Sequence, residues 1–329
     1  MMRVVVDLPL LNLWLPDKWN QKILLSNNEF IRKIETSEYQ LQRGHVSPFV
    51  LEITRNSEDL TETGNEIIDF ADFFIKVLTL YKSGRIGYGN PVYVEPKIQT
   101  LDDYQKHVQL TVVDNLSTRS IGIWNPNYWL LENEIKDLIG FYNKMGSLKL
   151  EEDNQLDYSI LVSVERLART SKSIEVYEKL LDCMMSLEAI FLENEGELSH
   201  RLSHRISNIY GESENERKLV FDFVKRCYNN RSKILHGAQF DIQEWDYIYS
   251  IEDLEEITRK CVRRAIALNE LKYKGKKTKK QFLKDLDSST FDSKLRFDIQ
   301  SFEKKYFEID FPKTRLHFVE ERQDEEQKG

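Results

Sequence analysis

The chain of 329 residues has few of the residues that mark secreted, metal-binding or membrane-spanning proteins. It contains three cysteines, Cys183, Cys227 and Cys261, and no C-x-x-C pair. An odd number of widely spaced cysteines on apolar helical faces argues against disulfides and a zinc site, and favours reduced, buried thiols in a cytosolic protein. No apolar run approaches the roughly 20 residues that span a bilayer. The apolar N-terminus lacks the small-residue cleavage site of a signal peptide. We therefore expect a cytoplasmic protein with no membrane partner.

The charge of the chain is acidic overall but unevenly distributed. The formal net charge is −8, so the whole protein is not expected to be drawn to nucleic acid. Residues 259–280, however, contain ten Lys or Arg and one acid, Glu270. Such a basic stripe can hold phosphates locally. The alternative is a solvated helix end followed by a linker.

Hydrophobic patterning predicts a mixed N-terminal part, residues 1–150. β-branched and aromatic runs bounded by turn residues predict five strands. These runs are Val4–Asp7, Lys22–Leu25, Pro48–Thr54, Pro91–Pro96 and His107–Val113. Helical spacing of apolar residues predicts one helix at about 65–82 and another that ends near Gly146.

The rest of the chain predicts a helical bundle over residues 155–290, after the polar linker Glu151–Asp157. Five successive apolar stripes with helical spacing and short connections are typical of such a bundle. Residues 291–329 return to strand-like alternation and end in an acidic tail, which we interpret as a C-terminal extension. The predicted fold class is α+β: a mixed sensing or specificity domain, an all-α bundle and a short strand-like segment.

The stretch NNRSKILHG, Asn229–Gly237, closes the fourth helix of this bundle. Arg231 offers a permanently charged, rigid fork of donors that matches a phosphate. His236 can move a proton near neutral pH. RNA supplies its own nucleophile, the 2′-hydroxyl, so this pair is sufficient for RNA cleavage without a metal.

The region around these residues resembles the Apea-like HEPN domain family. MSLEAIFLENEGELSHRLSHRISNIYG and the later FVKRCYNNRSKILHG follow its pattern of an L-E-x-hydrophobic helix and a second helix with an R-S-x-x-x-H-G signature. The resemblance covers about residues 156–288. It implies a bundle that forms homodimers, in which Arg231 and His236 of both copies line one cleft. It also implies a role in bacterial defence against phage.

The mechanism that follows is transesterification within RNA. His236 acts as general base on the 2′-hydroxyl, and Arg231 stabilises the charge on the phosphorane oxygens. The products carry 2′,3′-cyclic phosphate and 5′-hydroxyl ends. We expect no cofactor and no metal, and DNA should resist cleavage.

Arg231 and His236 lie five residues apart, which is about 140° around an ideal helix. They cannot share one narrow face of a straight helix. Gly237 allows a left-handed end, which would place His236 on a loosened last turn.

Glu188 is the predicted partner of Arg231. Both residues interrupt apolar stripes of their helices, and a charge in such a position is costly unless it is paired. We expect Glu188 to hold the guanidinium still; the alternative is that both residues point to solvent. Asn230 and Ser232 are secondary candidates for hydrogen bonds to phosphate or to the fold.

Further basic residues are candidates for contacts with the RNA backbone. They are Arg201, Arg205, Lys233, Arg263 and Arg264. His200 and His204 have the i, i+4 spacing of a metal site, but no third ligand accompanies them, so we predict no metal.

Three functional hypotheses remain open on the sequence. The first is a HEPN-type ribonuclease whose N-terminal domain senses a phage-derived trigger or a regulatory protein. The second is a non-catalytic module of the same fold that binds RNA or nucleotides. The third is an adaptor whose bundle serves only for assembly.

Overall fold

The computed structural model describes residues 2–16, 21–33, 49–89, 92–95, 128–173, 175–193, 196–237, 247–274, 279–312, 314 and 316–318. In these residues the fold is α+β, as predicted: a small antiparallel sheet precedes a bundle of helices. The chain divides into two compact units between Gly146 and Ser147, and the second unit also includes Leu80–Ser83. The hydrophobic patterning predicts a boundary at about residue 150.

The first unit contains an antiparallel sheet and a separate pair of short strands. The strands of this unit are β1 (Met2–Leu11), β2 (Leu13–Trp14), β3 (Ile23–Leu24), β4 (Glu29–Lys33), β5 (Phe49–Ser57), β6 (Gly87–Tyr88), β7 (Val92–Glu95) and β8 (Tyr128–Trp129). The order is β3-β4-β5-β1-β6, β7 also pairs with β1, and β2 and β8 form a separate parallel pair. Val6 lies opposite Ile53. Residues 4–10 of β1 are all buried, so both faces of this strand are covered.

The predicted strands agree with the sheet where the structure describes them. Val4–Asp7 lies in β1, and the runs beginning at Lys22, Pro48 and Pro91 contain or overlap β3, β5 and β7. The run His107–Val113 falls outside the described residues. The sequence analysis missed β4, whose five residues include three charged ones.

One of these charges resolves a conflict within the sheet. Asp7 on β1 stands directly opposite Glu52 on β5, which brings two carboxylates together. Arg32 on β4 lies between them and donates to both, Nη2 to Asp7 at 2.6 Å and Nε to Glu52 at 2.7 Å. The guanidinium thus offsets the repulsion that facing like charges would cause.

Two helices, α1 (Leu60–Tyr81) and α2 (Ile135–Gly146), complete the first unit. Both are predicted by the apolar spacing. Gly84, just beyond α1, has a φ of 135°, a conformation that favours glycine. Tyr142 of α2 packs its ring against three phenylalanines of α1, Phe70, Phe73 and Phe74.

The second unit is the helical bundle. Its helices are α3 (Gln155–Thr170), α4 (Val176–Phe191), α5 (Leu198–Tyr210), α6 (Glu214–Leu235), α7 (Tyr247–Leu268), α8 (Lys279–Ser288) and α9 (Ser293–Phe307). Side chains cap the N-termini of three of these helices. Asn154, Ser213 and Asp292 accept hydrogen bonds from backbone N–H groups in the first turns of α3, α6 and α9. These caps satisfy backbone N–H groups that have no partner within the helix.

Helix α7 is the centre of the bundle and packs against α3, α4, α5 and α9. Its face includes Leu254, Ile257, Cys261 and Ala265, all with no exposed surface. A π-helical turn, Asn269–Tyr273, continues it.

Two buried arginines of α7 share one glutamate of α9. Arg263 Nε lies 2.5 Å from Glu303 Oε1, and Arg264 Nε lies 3.2 Å from Glu303 Oε2. Arg264 also donates to the backbone carbonyls of Ile209 and Tyr210, the last residues of α5. Burial alone would raise the pKa of the Glu303 carboxyl. The positive charges of the two guanidinium groups have a larger effect, so the pKa is lowered.

Helix α9 corrects the expectation of a strand-like C-terminal segment. Residues 293–307 are helical, and the buried positions Ile299, Glu303 and Phe307 recur every four residues. The middle position of this face is the glutamate that pairs with α7. Glu303 occupies a position where the helical period predicts an apolar residue. The sequence therefore shows no clear helical period and resembles the alternation of a strand.

Position 211, in the turn between α5 and α6, must be glycine because a side chain there has no room. A Cβ on Gly211 would lie 2.8 Å from the backbone nitrogen of Arg217 and 2.9 Å from its Cα. The first turns of α6 therefore pack directly over the end of α5.

The last described residues also belong to the second unit. Asp253 of α7 accepts hydrogen bonds from the backbone N–H groups of His317 and Phe318 and lies 2.9 Å from His317 Nδ1. The Phe318 ring stacks on Phe223 of α6 with centroids 4.5 Å apart. None of the helices in the described parts of the chain is long and apolar enough to cross a membrane.

We expect Glu303→Gln to destabilise the protein by about 3 kcal/mol, since it leaves two buried arginines without a counter-charge. The measurement is urea denaturation, with Asp298→Asn, an exposed acid on the same helix, as the control.

The Glu303→Gln substitution should also change how the stability of the protein depends on pH. The pKa of the Glu303 carboxyl is lower in the folded protein than its ordinary value of 4.5. Such a carboxylate stabilises the fold above pH 4.5, and this stabilisation is lost as the pH falls further. Glu303→Gln should therefore flatten the loss of stability below about pH 4.5. An unchanged acid slope in this variant would contradict the account of the cluster.

The three thiols should be unreactive in the native protein. Cys183, Cys227 and Cys261 are free and buried, and burial raises the pKa of each, to about 12 for Cys261. Thiolate is the reactive form. An aromatic disulfide reagent at pH 8 should therefore label no cysteine before unfolding and all three after it. Rapid labelling of one native thiol would show that its helix face opens.

Candidate functional site

The end of α6 has the geometry that the motif predicts. Helix α6 ends at Leu235, and His236 has left the helical conformation, with φ −91° and ψ 7°. Gly237 is left-handed with φ 67°, and its N–H donates to the carbonyl of Ile234. The expected left-handed end is confirmed. His236 is exposed on this last turn.

Arg231 and Glu188 form the predicted pair. Arg231 Nη2 on α6 donates to Glu188 Oε2 on α4 at 3.1 Å. Their side chains are 24% and 21% exposed, so the pair is neither fully buried nor free in solvent. The expectation that both residues leave their stripes for solvent is thereby excluded.

The pair is incompletely satisfied. Glu188 Oε1 and Arg231 Nε are buried atoms without a hydrogen-bond partner in the described part of the chain. Burial raises the pKa of Glu188, and the charge of Arg231 only partly opposes that rise. A pair with this geometry holds the guanidinium in place but contributes little to stability.

The pair lines an open groove of about 820 Å³ within the bundle. Its walls are Gln155, Met185, Glu188, Ala189, Leu192, Glu193, Leu198, Arg231, Lys279 and Lys280. Three cationic and two acidic side chains therefore line one space together with apolar side chains.

His236 is not among the residues that line this groove. The structure thus places Arg231 on the groove wall and His236 at the exposed end of the same helix. Of their neighbours, Lys233 is exposed, while Asn230 and Ser232 are half-buried.

Three of the predicted RNA-backbone contacts are wrong. Arg205 is 1% exposed and donates twice to Asp287 at 2.8 Å and once to the carbonyl of Phe191. Arg263 and Arg264 are the buried partners of Glu303. These guanidinium groups connect helices and are not presented to a strand of RNA. Arg201 is half-buried and donates to the carbonyl of Gly196.

Six of the eight Lys and Arg that the structure describes in the basic stripe at 259–280 also pair with carboxylates. Arg259 pairs with Glu256, Lys272 with Asp285 and Lys274 with Glu270. The count of cations in the sequence overstated the positive surface because the counter-charges come from other helices or from the preceding turn.

Lys279 and Lys280 are the cationic groove residues that were not singled out within the predicted basic stripe. Lys279 is 6% exposed, and burial lowers its pKa to about 8. The run of lysines before α8 was a signal, but nothing in the sequence distinguished these two from their paired neighbours.

His200 and His204 stack with ring centroids 6.0 Å apart. His204 Nε2 lies 2.8 Å from Thr290 Oγ1, and burial lowers the pKa of this imidazole. Among the described residues, no cluster of three His, Cys, Asp or Glu side chains is arranged to hold a metal ion.

No protein-family model, curated protein or solved structure matches this chain. The fold places the protein in the α+β class, with an antiparallel sheet followed by a helical bundle.

We expect Glu188→Gln to leave the free energy of unfolding unchanged or slightly higher. A carboxyl whose pKa is raised in the fold is disfavoured as an anion there, so the neutral amide relieves that cost at neutral pH. Urea denaturation compared with Glu303→Gln provides the contrast. Side-chain NMR of Arg231 should show a more mobile guanidinium. A large loss of stability would mean that Glu188 is structural.

Proposed function

We propose that this protein is a metal-independent RNA endonuclease in which Arg231 and His236 act on one phosphodiester. One observation carries the proposal. Glu188 fixes Arg231 on the wall of an open groove, and the same helix ends in an exposed histidine on a left-handed turn. A guanidinium held by an incompletely satisfied pair is positioned for a ligand rather than for stability.

The chemistry needs only these groups, the substrate and solvent water. The 2′-oxygen forms a bond to phosphorus while the bond from phosphorus to the 5′-oxygen breaks. His236 accepts the proton of the 2′-hydroxyl, and the leaving 5′-oxygen takes up a proton from water. Arg231 stabilises the charge on the non-bridging oxygens. DNA lacks the nucleophile and should not be cleaved.

A second copy of the chain would complete the site. Within one copy, His236 lies beyond the groove that holds Arg231. In a homodimer joined through the bundles, the histidine of one copy could reach the phosphate held by the arginine of the other. This arrangement agrees with the dimer that the HEPN resemblance implies.

The alternative is a non-catalytic module that binds RNA or nucleotides. The absence of His236 from the groove lining favours it, because an isolated groove with Arg231 and two lysines is sufficient for binding. A role in anti-phage defence belongs to the first proposal and follows from the resemblance alone.

Purified protein with chelator should cleave single-stranded RNA and leave matched DNA intact. We expect His236→Ala to lower the single-turnover rate by about 10²–10⁴ and Arg231→Ala by about 10²–10³. His200→Ala and Arg226→Ala, exposed residues of the same types, are the controls. The RNA products should carry cyclic phosphate ends.

Mixing the two inactive variants tests the composite site. Hybrid dimers would hold one intact arginine and one intact histidine, so activity should return on mixing. Cleavage that survives His236→Ala would contradict the proposed chemistry. Tight RNA binding without any cleavage would instead favour the binding module.

A further inference from the structure

The groove has a second cationic wall on a different helix from the one that carries Arg231. Arg231 of α6 contacts Glu188, while Lys279 at the start of α8 donates its Nζ to the carbonyl of Ala189 at 2.5 Å. Glu188 and Ala189 are successive residues of α4. The two cationic groups therefore approach the same turn of α4 from two different helices.

Lys279 is a buried ammonium with an incomplete set of partners. An ammonium has three N–H donors, and Ala189 is its only hydrogen-bond partner in the described part of the chain. Burial lowers its pKa, yet only to about 8, so the group is mostly charged at neutral pH. The charge of Glu193 acts on this ammonium, but its one hydrogen bond in the described residues is to a carbonyl, so an anion that enters the groove can accept from its other donors.

The other groove residues fit a nucleotide phosphate with its sugar. Lys280 is exposed and adds a second ammonium. Glu188 neutralises Arg231, and Glu193, whose charge raises the pKa of Lys279, is the second acid of the groove. Met185, Leu192 and Leu198 provide apolar surface beside the charges. The volume of about 820 Å³ lies within the roughly 300–1,000 Å³ of small-ligand sites.

We propose that Lys279 and Lys280 bind a phosphate of single-stranded RNA, next to the phosphate that Arg231 contacts. The choice of RNA rests on the proposed function, and the assignment of this wall extends it. The two lysines would set the position of the strand in the groove, so that the reacting phosphate meets the guanidinium. They do not take part in the chemical step.

The test measures binding separately from cleavage. Full-length His236→Ala protein is titrated with a fluorescent single-stranded oligoribonucleotide, and the anisotropy is followed over a range of salt concentrations. Lys280→Gln is compared with Lys284→Gln, which removes the same charge from an exposed lysine one turn further along α8. Lys279→Met removes the buried donor while keeping the apolar stem, and circular dichroism verifies its folding.

We expect Lys280→Gln to weaken RNA binding about three- to tenfold at low salt and to reduce the slope of log K against log salt by about 0.7. Lys284→Gln should change neither quantity. Equal effects of the two glutamine variants, or no RNA binding at all, would overturn the proposal.

Competition with adenosine 5′-monophosphate separates the two sources of the phosphate. Weak competition supports a strand held at several phosphates. Tight, Lys280-dependent binding of the mononucleotide without binding of RNA would overturn the assignment. If the lysine effects appear while the wild type cleaves nothing, the groove assignment stands and the nuclease proposal fails.

Discussion

The bundle depends on how two adjacent arginines of its central helix are neutralised. Arg263 and Arg264 are buried, and Glu303 supplies the only carboxylate that pairs with both in the described residues. Arg264 also reaches the carbonyl end of α5, where the missing intrahelical donors leave carbonyls that need partners. One ionic cluster therefore fixes α5, α7 and α9 relative to each other. Helix α6 (Glu214–Leu235) begins after a short turn that follows this end of α5, so the cluster also helps to set the position of Arg231 further along α6.

Two glutamate–arginine contacts in the same bundle serve different purposes. Around Glu303, both carboxylate oxygens accept from guanidinium groups, and the pKa of the acid is lowered. At Glu188, one oxygen has no hydrogen-bond partner among the described residues, and burial raises the pKa. The first contact favours the folded state, whereas the second holds a cation at a groove at some cost. Residues kept in such unfavourable arrangements are typical of functional sites.

Much of this structure could be predicted because most elements bury apolar residues at a regular period. The pairing of Glu188 with Arg231 was also predictable, since each residue interrupts an apolar stripe on a helix that must face the core. The predictions failed where a charge occupies a buried position. Glu303 concealed the period of α9, and Arg205, Arg263 and Arg264 resembled surface cations because their carboxylate partners lie 82, 40 and 39 residues away in the chain. The sequence contains no local signal for such distant partners.

The contacts of the C-terminal segment determine how the protein can be divided. A fragment cut at residue 290, where the sequence analysis ends the bundle, would lose Glu303 and leave two guanidinium groups in the core without a counter-ion. It would also lose the backbone donors at His317 and Phe318 that satisfy Asp253, and the ring that covers Phe223. The smallest piece that could retain the groove in its folded form therefore extends at least to residue 318.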